Sequence, residues 1–305
     1  MTETCTPRDT DALPKTETYA AKLAGQDAWI HSDGSAAGYF HTFDVLKLGS
    51  APAHKVHVLL PKDYAKDCAR YPVIYFHDGN TTFWKGGAVN KTWDVQAALA
   101  KGYAGGTIPR VIVVAIEPIE RNREYTHAPW LVGQSCCEVA AYVTWLADSL
   151  KPFIDGAYRT RAAAKDTTIA GSSHGGLAAF ITATSRPEAF GNAIAMSSSF
   201  WAGLDGTDKN GPLSTSALVT NAASGLAKKP RLYIDWGLVR TGGEHNSIIE
   251  DLATKRGIEM RDLLVASYGY TLDKDLFAIE DGEGGHDEES WARRIGPALE
   301  KILAP

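Results

Sequence analysis

The stretch Thr168-Ile169-Ala170-Gly171-Ser172-Ser173-His174-Gly175-Gly176-Leu177-Ala178-Ala179-Phe180 decides how the 305-residue chain is organised. A short apolar strand, a tight turn and a helix are expected here, with Gly171-Ser172-Ser173-His174-Gly175 at the turn. The spacing is G-x-S-x-G, and Ser173 stands at its centre. A serine on a sharp strand-to-helix turn has a strained backbone, and the flanking glycines remove side chains that would collide across it. Its hydroxyl then stands clear at the end of a sheet. The amides at the head of the following helix face any negative charge that forms beside it. The competing reading is a glycine-rich structural turn without chemistry.

Outward from this turn, strand and helix signals alternate. Residues 38–45 alternate like a half-buried strand, and residues 55–60 form a second strand ending at Pro61, together an antiparallel edge. Residues 71–77 and 111–116 are continuous apolar runs, as in central buried strands. A glycine- and tryptophan-rich loop and a helix around Trp93 to Ala100 lie between them. Val139, Val143, Leu146, Leu150 and Phe153 mark a helix over 138–154. Further strands are expected at 193–196, 231–236 and 276–279, with helices at about 246–268 and 291–303. Residues 1–35 read as an irregular arm and 36–305 as one catalytic domain, with 202–228 as a loop excursion over one face. The fold class is α/β, a mostly parallel sheet covered by helices on both faces.

Composition narrows the function. A hydrophobic fraction of 44% is ordinary for a globular protein, and no apolar run is long enough to cross a bilayer. The net charge of −5, with both signs interspersed, argues against nucleic acid or an anionic membrane as a main partner. The first residues hold no apolar leader-like run, and a secreted or periplasmic mature form and a cytoplasmic protein both stay open. Cys5, Cys68, Cys136 and Cys137 show no metal-binding C-x-x-C spacing. Two bridges are possible, for instance from each member of the adjacent pair to Cys5 or Cys68; four reduced thiols are the alternative. His54 and His57 fall on opposite faces of a strand and make no metal site. The turn from Asp205 to Gly211 carries oxygen ligands, but its spacing is not that of a calcium loop and an ordinary surface turn is the better reading. No metal or cofactor is expected.

With these pieces in place the chain resembles the putative-esterase branch of the α/β-hydrolases, over roughly residues 38–303. That branch includes enterochelin, feruloyl and acetylxylan esterases, S-formylglutathione hydrolases and mycolyltransferases. The markers are Tyr75-Phe76-His77-Asp78-Gly79-Asn80, Glu124-Tyr125-Thr126, Leu150-Lys151-Pro152-Phe153-Ile154-Asp155, Ser199-Phe200-Trp201 and Gly284-Gly285-His286, in that order around the Ser173 turn. The resemblance implies the α/β-hydrolase fold and a serine carboxylic ester hydrolase working through an acyl-enzyme.

Ser173 is the expected nucleophile, and His286, in a glycine-rich loop after the last strand, the expected base. The backbone amides of His174 and, by resemblance, Asn80 would form the oxyanion hole. Relatives carry the triad acid about three positions after the glycine that ends the strand before the long helix. That glycine is Gly237, and the corresponding residue is Arg240, which cannot serve. Glu244, in the same loop, is the expected acid, with Asp235 as the alternative. Glu288 lies close to His286 in sequence and is read as a cap of the last helix. Trp84, Tyr125 and Trp201 are expected to wall a pocket for a bulky, phenolic or sugar-linked ester. The competing functions are acyl transfer to a sugar or alcohol, and a non-catalytic carbohydrate- or partner-binding protein, the latter motivated by Arg240.

Overall fold

Strands covered on both faces need apolar side chains at every position, and Val73–Phe76 and Ile112–Ile116 have them, all buried. In the computed structural model, which describes residues 6–87, 90–129, 134–203 and 228–304, these runs lie in the middle of a ten-stranded sheet. The strands are β1 (Tyr19–Leu23), β2 (Gln26–His31), β3 (Gly38–Leu46), β4 (His54–Pro61), β5 (Val73–Phe76), β6 (Ile112–Ile116), β7 (Thr167–Ser172), β8 (Asn192–Met196), β9 (Arg231–Gly237) and β10 (Leu276–Asp281). Across the sheet they run β1-β2-β3-β4-β6-β5-β7-β8-β9-β10. β1 to β4 pair antiparallel, β4 meets β6 antiparallel, and from β6 across to β10 all neighbours are parallel.

The helices are α1 (Gly79–Thr82), α2 (Val95–Gly105), α3 (Arg121–Tyr125), α4 (Val139–Trp145), α5 (Lys151–Ala157), α6 (His174–Ser185), α7 (Glu250–Tyr268) and α8 (Glu288–Leu303). A π turn at Leu146–Leu150 joins α4 to α5. Each face of the sheet has its own core, as the two-residue strand period requires. Tyr75, Val114 and Ile169 point to one side with residues of α4, α5, α6 and α7. Ile74, Phe76 and Val113 point to the other with residues of α2 and α8.

Two expectations need correction. Residues 19–31 are not an irregular arm but a β-hairpin that widens the sheet beyond β3. Its turn, Ala24-Gly25, has φ of 48° and 80°, the left-handed pair that suits a two-residue hairpin. Its strands are short and only half-buried, so their alternation is weak in sequence. Second, Cys136 and Cys137 are disulfide-bonded to each other rather than reaching Cys5 and Cys68. Cys68 is also disulfide-bonded, and Cys5 lies outside the described residues. Most of the 202–228 excursion, with the turn from Asp205 to Gly211, lies outside them too.

Candidate active site

β7 ends at Ser172, α6 begins at His174, and Ser173 is the hinge between them at φ 54° and ψ −121°. That backbone is costly for a residue with a side chain and survives only where neighbours enforce it. The Ser173 amide donates to the Met196 carbonyl at 2.9 Å, and a Cβ on Gly171 would lie 2.3 Å from the Gly175 carbonyl oxygen, so the turn closes only with glycine there. The Ser173 Oγ lies 3.3 Å from the Ser199 Oγ, which in turn lies 3.0 Å from Nδ1 of His174. Burial, then the positive charge of Arg121, lower the His174 pKa to about 3, so its imidazole is neutral.

His286 lies between β10 and α8. Its amide donates to Oδ1 of Asn246 at 2.8 Å, and the amide of Gly285 donates to the Ser290 hydroxyl at 2.9 Å. Its Nδ1 lies 2.6 Å from Oε2 of Glu250, the fully buried first residue of α7. An ionised carboxylate only accepts, so Nδ1 carries the proton and Nε2 keeps its lone pair. The other oxygen of Glu250 accepts from the Gly237 amide and from the Ser197 hydroxyl. Ser197 in turn accepts from Trp291 Nε1 at 3.3 Å and from Arg294 at 3.1 Å. Each group buried behind His286 thus has a donor or acceptor, as a dry polar network requires.

Ser173 and His286 line one cavity of about 490 Å³, bordered also by Asn80, His174, Trp201 and Trp291. Arg121 enters it from α3, held by Asp78 at 2.7 and 2.9 Å. Several site expectations change. Glu244 is exposed, and the carboxylate against His286 is Glu250. Asp235 is buried but faces away: it pairs with Arg294 at 3.0 Å and accepts from the Ser197 amide. Burial raises the Asp235 pKa to about 6 against the pull of Arg294. Arg240 reaches Thr254, Asp251 and the carbonyls of Gly237 and Val239. Tyr125 is fully buried behind the cavity, its hydroxyl accepting from the Asp78 amide. Trp84 lines a neighbouring groove instead, and only Trp201 of the three aromatic residues borders the Ser173 cavity. The cap of α8 is Asp287, which accepts from the Ser290 amide at 2.8 Å; Glu288 lines the cavity. Among the described residues no cluster of three or more potential ligands could hold a metal ion, and His54 and His57 are engaged by Glu124 and Glu117.

Glu250 escaped sequence reasoning because the search stayed in the loop after Gly237. A signal was present: the buried face of α7 runs Glu250, Ala253, Thr254, Gly257, Met260, Leu264, and an acid at the head of such a stripe has to meet a partner.

Comparison with known proteins bears on the fold. The chain shares 23% identity over 165 residues with the protein YbbA of Bacillus subtilis (strain 168), a match covering 50% of this chain and 62% of YbbA. An IroE-like serine hydrolase from Shewanella oneidensis superposes with a TM-score of 0.61 at 19% identity, over 86% of this chain and 79% of that one. Enterochelin esterase from Shigella flexneri gives 0.62 at 18% identity, over 97% and 61%. No helix among the described residues is long and apolar enough to cross a membrane. Residues 52–302 match the sequence profile of the Putative esterase family; the chain belongs to that family and, with this sheet order and the Ser173 turn, has the α/β-hydrolase fold.

Proposed function

We propose that the protein is a serine carboxylic ester hydrolase acting through an acyl-enzyme, with Ser173 as nucleophile, His286 as base and Glu250 as the orienting acid. The observation that carries this is the Glu250–His286 contact at 2.6 Å in the cavity that also holds the strained Ser173. A serine hydroxyl is a weak nucleophile at neutral pH, so Nε2 of His286 takes its proton as Oγ attacks the ester carbonyl. Glu250 fixes the tautomer and stabilises the imidazolium that forms. The oxyanion lies against the amides of His174, at the head of α6, and Asn80, in α1, each contributing about 3–4 kcal/mol in the transition state. His286 then returns the proton to the departing alcohol, and a water activated the same way releases the acid.

The non-catalytic reading rested on Arg240 in the usual acid position, and the buried carboxylate of Glu250 removes its motive. The test is hydrolysis of a short-chain 4-nitrophenyl ester by the wild type and by Ser173→Ala. Turnover lost with the serine is expected; turnover retained, or absent from the wild type, overturns the proposal. Product analysis with an added alcohol separates hydrolysis, the expected outcome, from transfer.

A further inference from the structure

Beside the catalytic cavity lies a second depression of about 500 Å³, and Asn80 and Gly87 border both. Its floor is the antiparallel part of the sheet formed by β2, β3 and β4. Trp29 on β2, Thr42 on β3 and His57 on β4 are cross-strand partners, so their side chains share one face. Next to them, Phe40 and Leu59 on the same face are apolar. Here it carries a polar row: the Glu117 carboxylate 3.0 Å from Nε2 of His57, Nδ1 of His57 2.9 Å from the Thr42 hydroxyl, and that hydroxyl 2.9 Å from Nε2 of His31.

The carboxylate sets the polarity of the whole row. A neutral His57 that donates Nε2–H to it takes the Thr42 proton at Nδ1. Thr42 then accepts from Nε2–H of His31, which leaves Nδ1 of His31 as an acceptor. Thr42 and His57 are buried, so the row is shielded from solvent. Burial lowers the His31 pKa, in keeping with a neutral ring. Lys55 brings a donor between Asp44, at 3.3 Å, and Glu117, at 4.0 Å, so the cation is locally matched.

Two indoles border this polar floor. Trp84 is pinned by Asp33 at 3.1 Å and packs on Phe40, with ring centroids 4.7 Å apart. Trp29 is tied to Asp44 through Nε1 at 2.8 Å, yet 43% of it is exposed. A large apolar side chain oriented by a hydrogen bond and left open to solvent invites a stacking ligand. A ligand suited to this groove has an apolar face for an indole and several hydroxyls at its edge, and carries no net charge. A phenol supplies the face but too few polar atoms.

We propose that this groove is a subsite for a neutral sugar ring, and that the esters cleaved at Ser173 are sugar-linked. The second half of this statement rests on the esterase reading above; the first does not.

The test has two arms. Ser173→Ala protein is titrated calorimetrically with xylotriose, cellotriose and maltotriose. Saturable binding of at least one, weakened about tenfold or more by a further Trp29→Ala change, is expected. Binding of none of them at tens of millimolar (about 50 mM, well above a Kd near 1 mM) overturns the subsite. In the second arm, kcat/KM for an acetylated xylobiose is divided by kcat/KM for 4-nitrophenyl acetate. That ratio should fall about tenfold in both Trp29→Ala and Lys55→Met. An unchanged ratio in both rejects the sugar-linked substrate. Sugar binding without any ester turnover would sink the esterase reading and leave the groove; ester turnover without sugar binding would do the reverse.

Discussion

The Ser197 hydroxyl lies 2.9 Å from Oε1 of Glu250, the carboxylate oxygen turned away from His286. Glu250 is therefore gripped from both sides, and in the proposed triad Ser197 is a positioning residue for the imidazole. Ser197→Ala should lower kcat about tenfold with little change in KM, and cost about 1–3 kcal/mol of stability through the weakened solvation of a buried carboxylate. Ser197→Thr, which keeps the hydroxyl, should recover part of the rate. Steady-state kinetics and urea melts check both.

Glu250→Gln keeps the shape of the side chain but lets its amide favour the wrong histidine tautomer. A loss of about a hundredfold to ten-thousandfold in kcat is expected. Glu244→Ala, at an exposed position, should stay within about twofold of wild type. The reverse ranking would return the acid to the loop.

Arg294 and Asp235 form a buried pair beneath this network. Arg294→Met leaves Asp235 without its cation, and a loss of about 3–5 kcal/mol is expected. Adding Asp235→Asn should recover part of that loss, because the carboxylate no longer needs a counter-charge. Denaturant midpoints of the two single variants and the double variant measure the coupling.

Stability should fall in mild acid. Burial lowers His41 to about 4 and His77 and His174 to about 3. Below about pH 6.5 the unfolded imidazoles take up protons that the folded ones refuse, so stability drops as pH falls from there toward about 4. Asp235 acts in the opposite sense: raised to about 6, it holds a proton when folded that the unfolded chain releases above about 3.8. Burial raises Glu288 as well, but it also lowers His31 and His127, and two carboxyls against five imidazoles leave the histidines in control. The urea midpoint should be lower at about pH 4.5 than at about pH 7.

The parts of the molecule with strong local signatures were legible in the sequence. The Ser173 turn announces itself because only glycine fits across it, and the central strands because burial on both faces leaves no room for polar residues. That His286 shares a cavity with Ser173 was legible from chain order and its glycine loop. The hairpin at 19–31 was not, since its strands are half-buried and short. Trp84 and Tyr125 were misplaced because an aromatic residue near a motif can face the pocket, the core or a different groove, and only tertiary packing decides. Glu250, Ser197 and Arg294 come from three separate segments, and their convergence on His286 is a property of the sheet order rather than of any local pattern.

In the proposed triad, seating the acid on the first turn of α7 has an evolutionary corollary. In the proposed triad the connection over 238–244 supplies no reacting group, yet Gly242 within it still borders the cavity. Insertions, deletions or grafted sequences there can change which molecules are admitted while the reacting groups keep their alignment, so this short link is a natural place for lineages, or a laboratory library, to diversify.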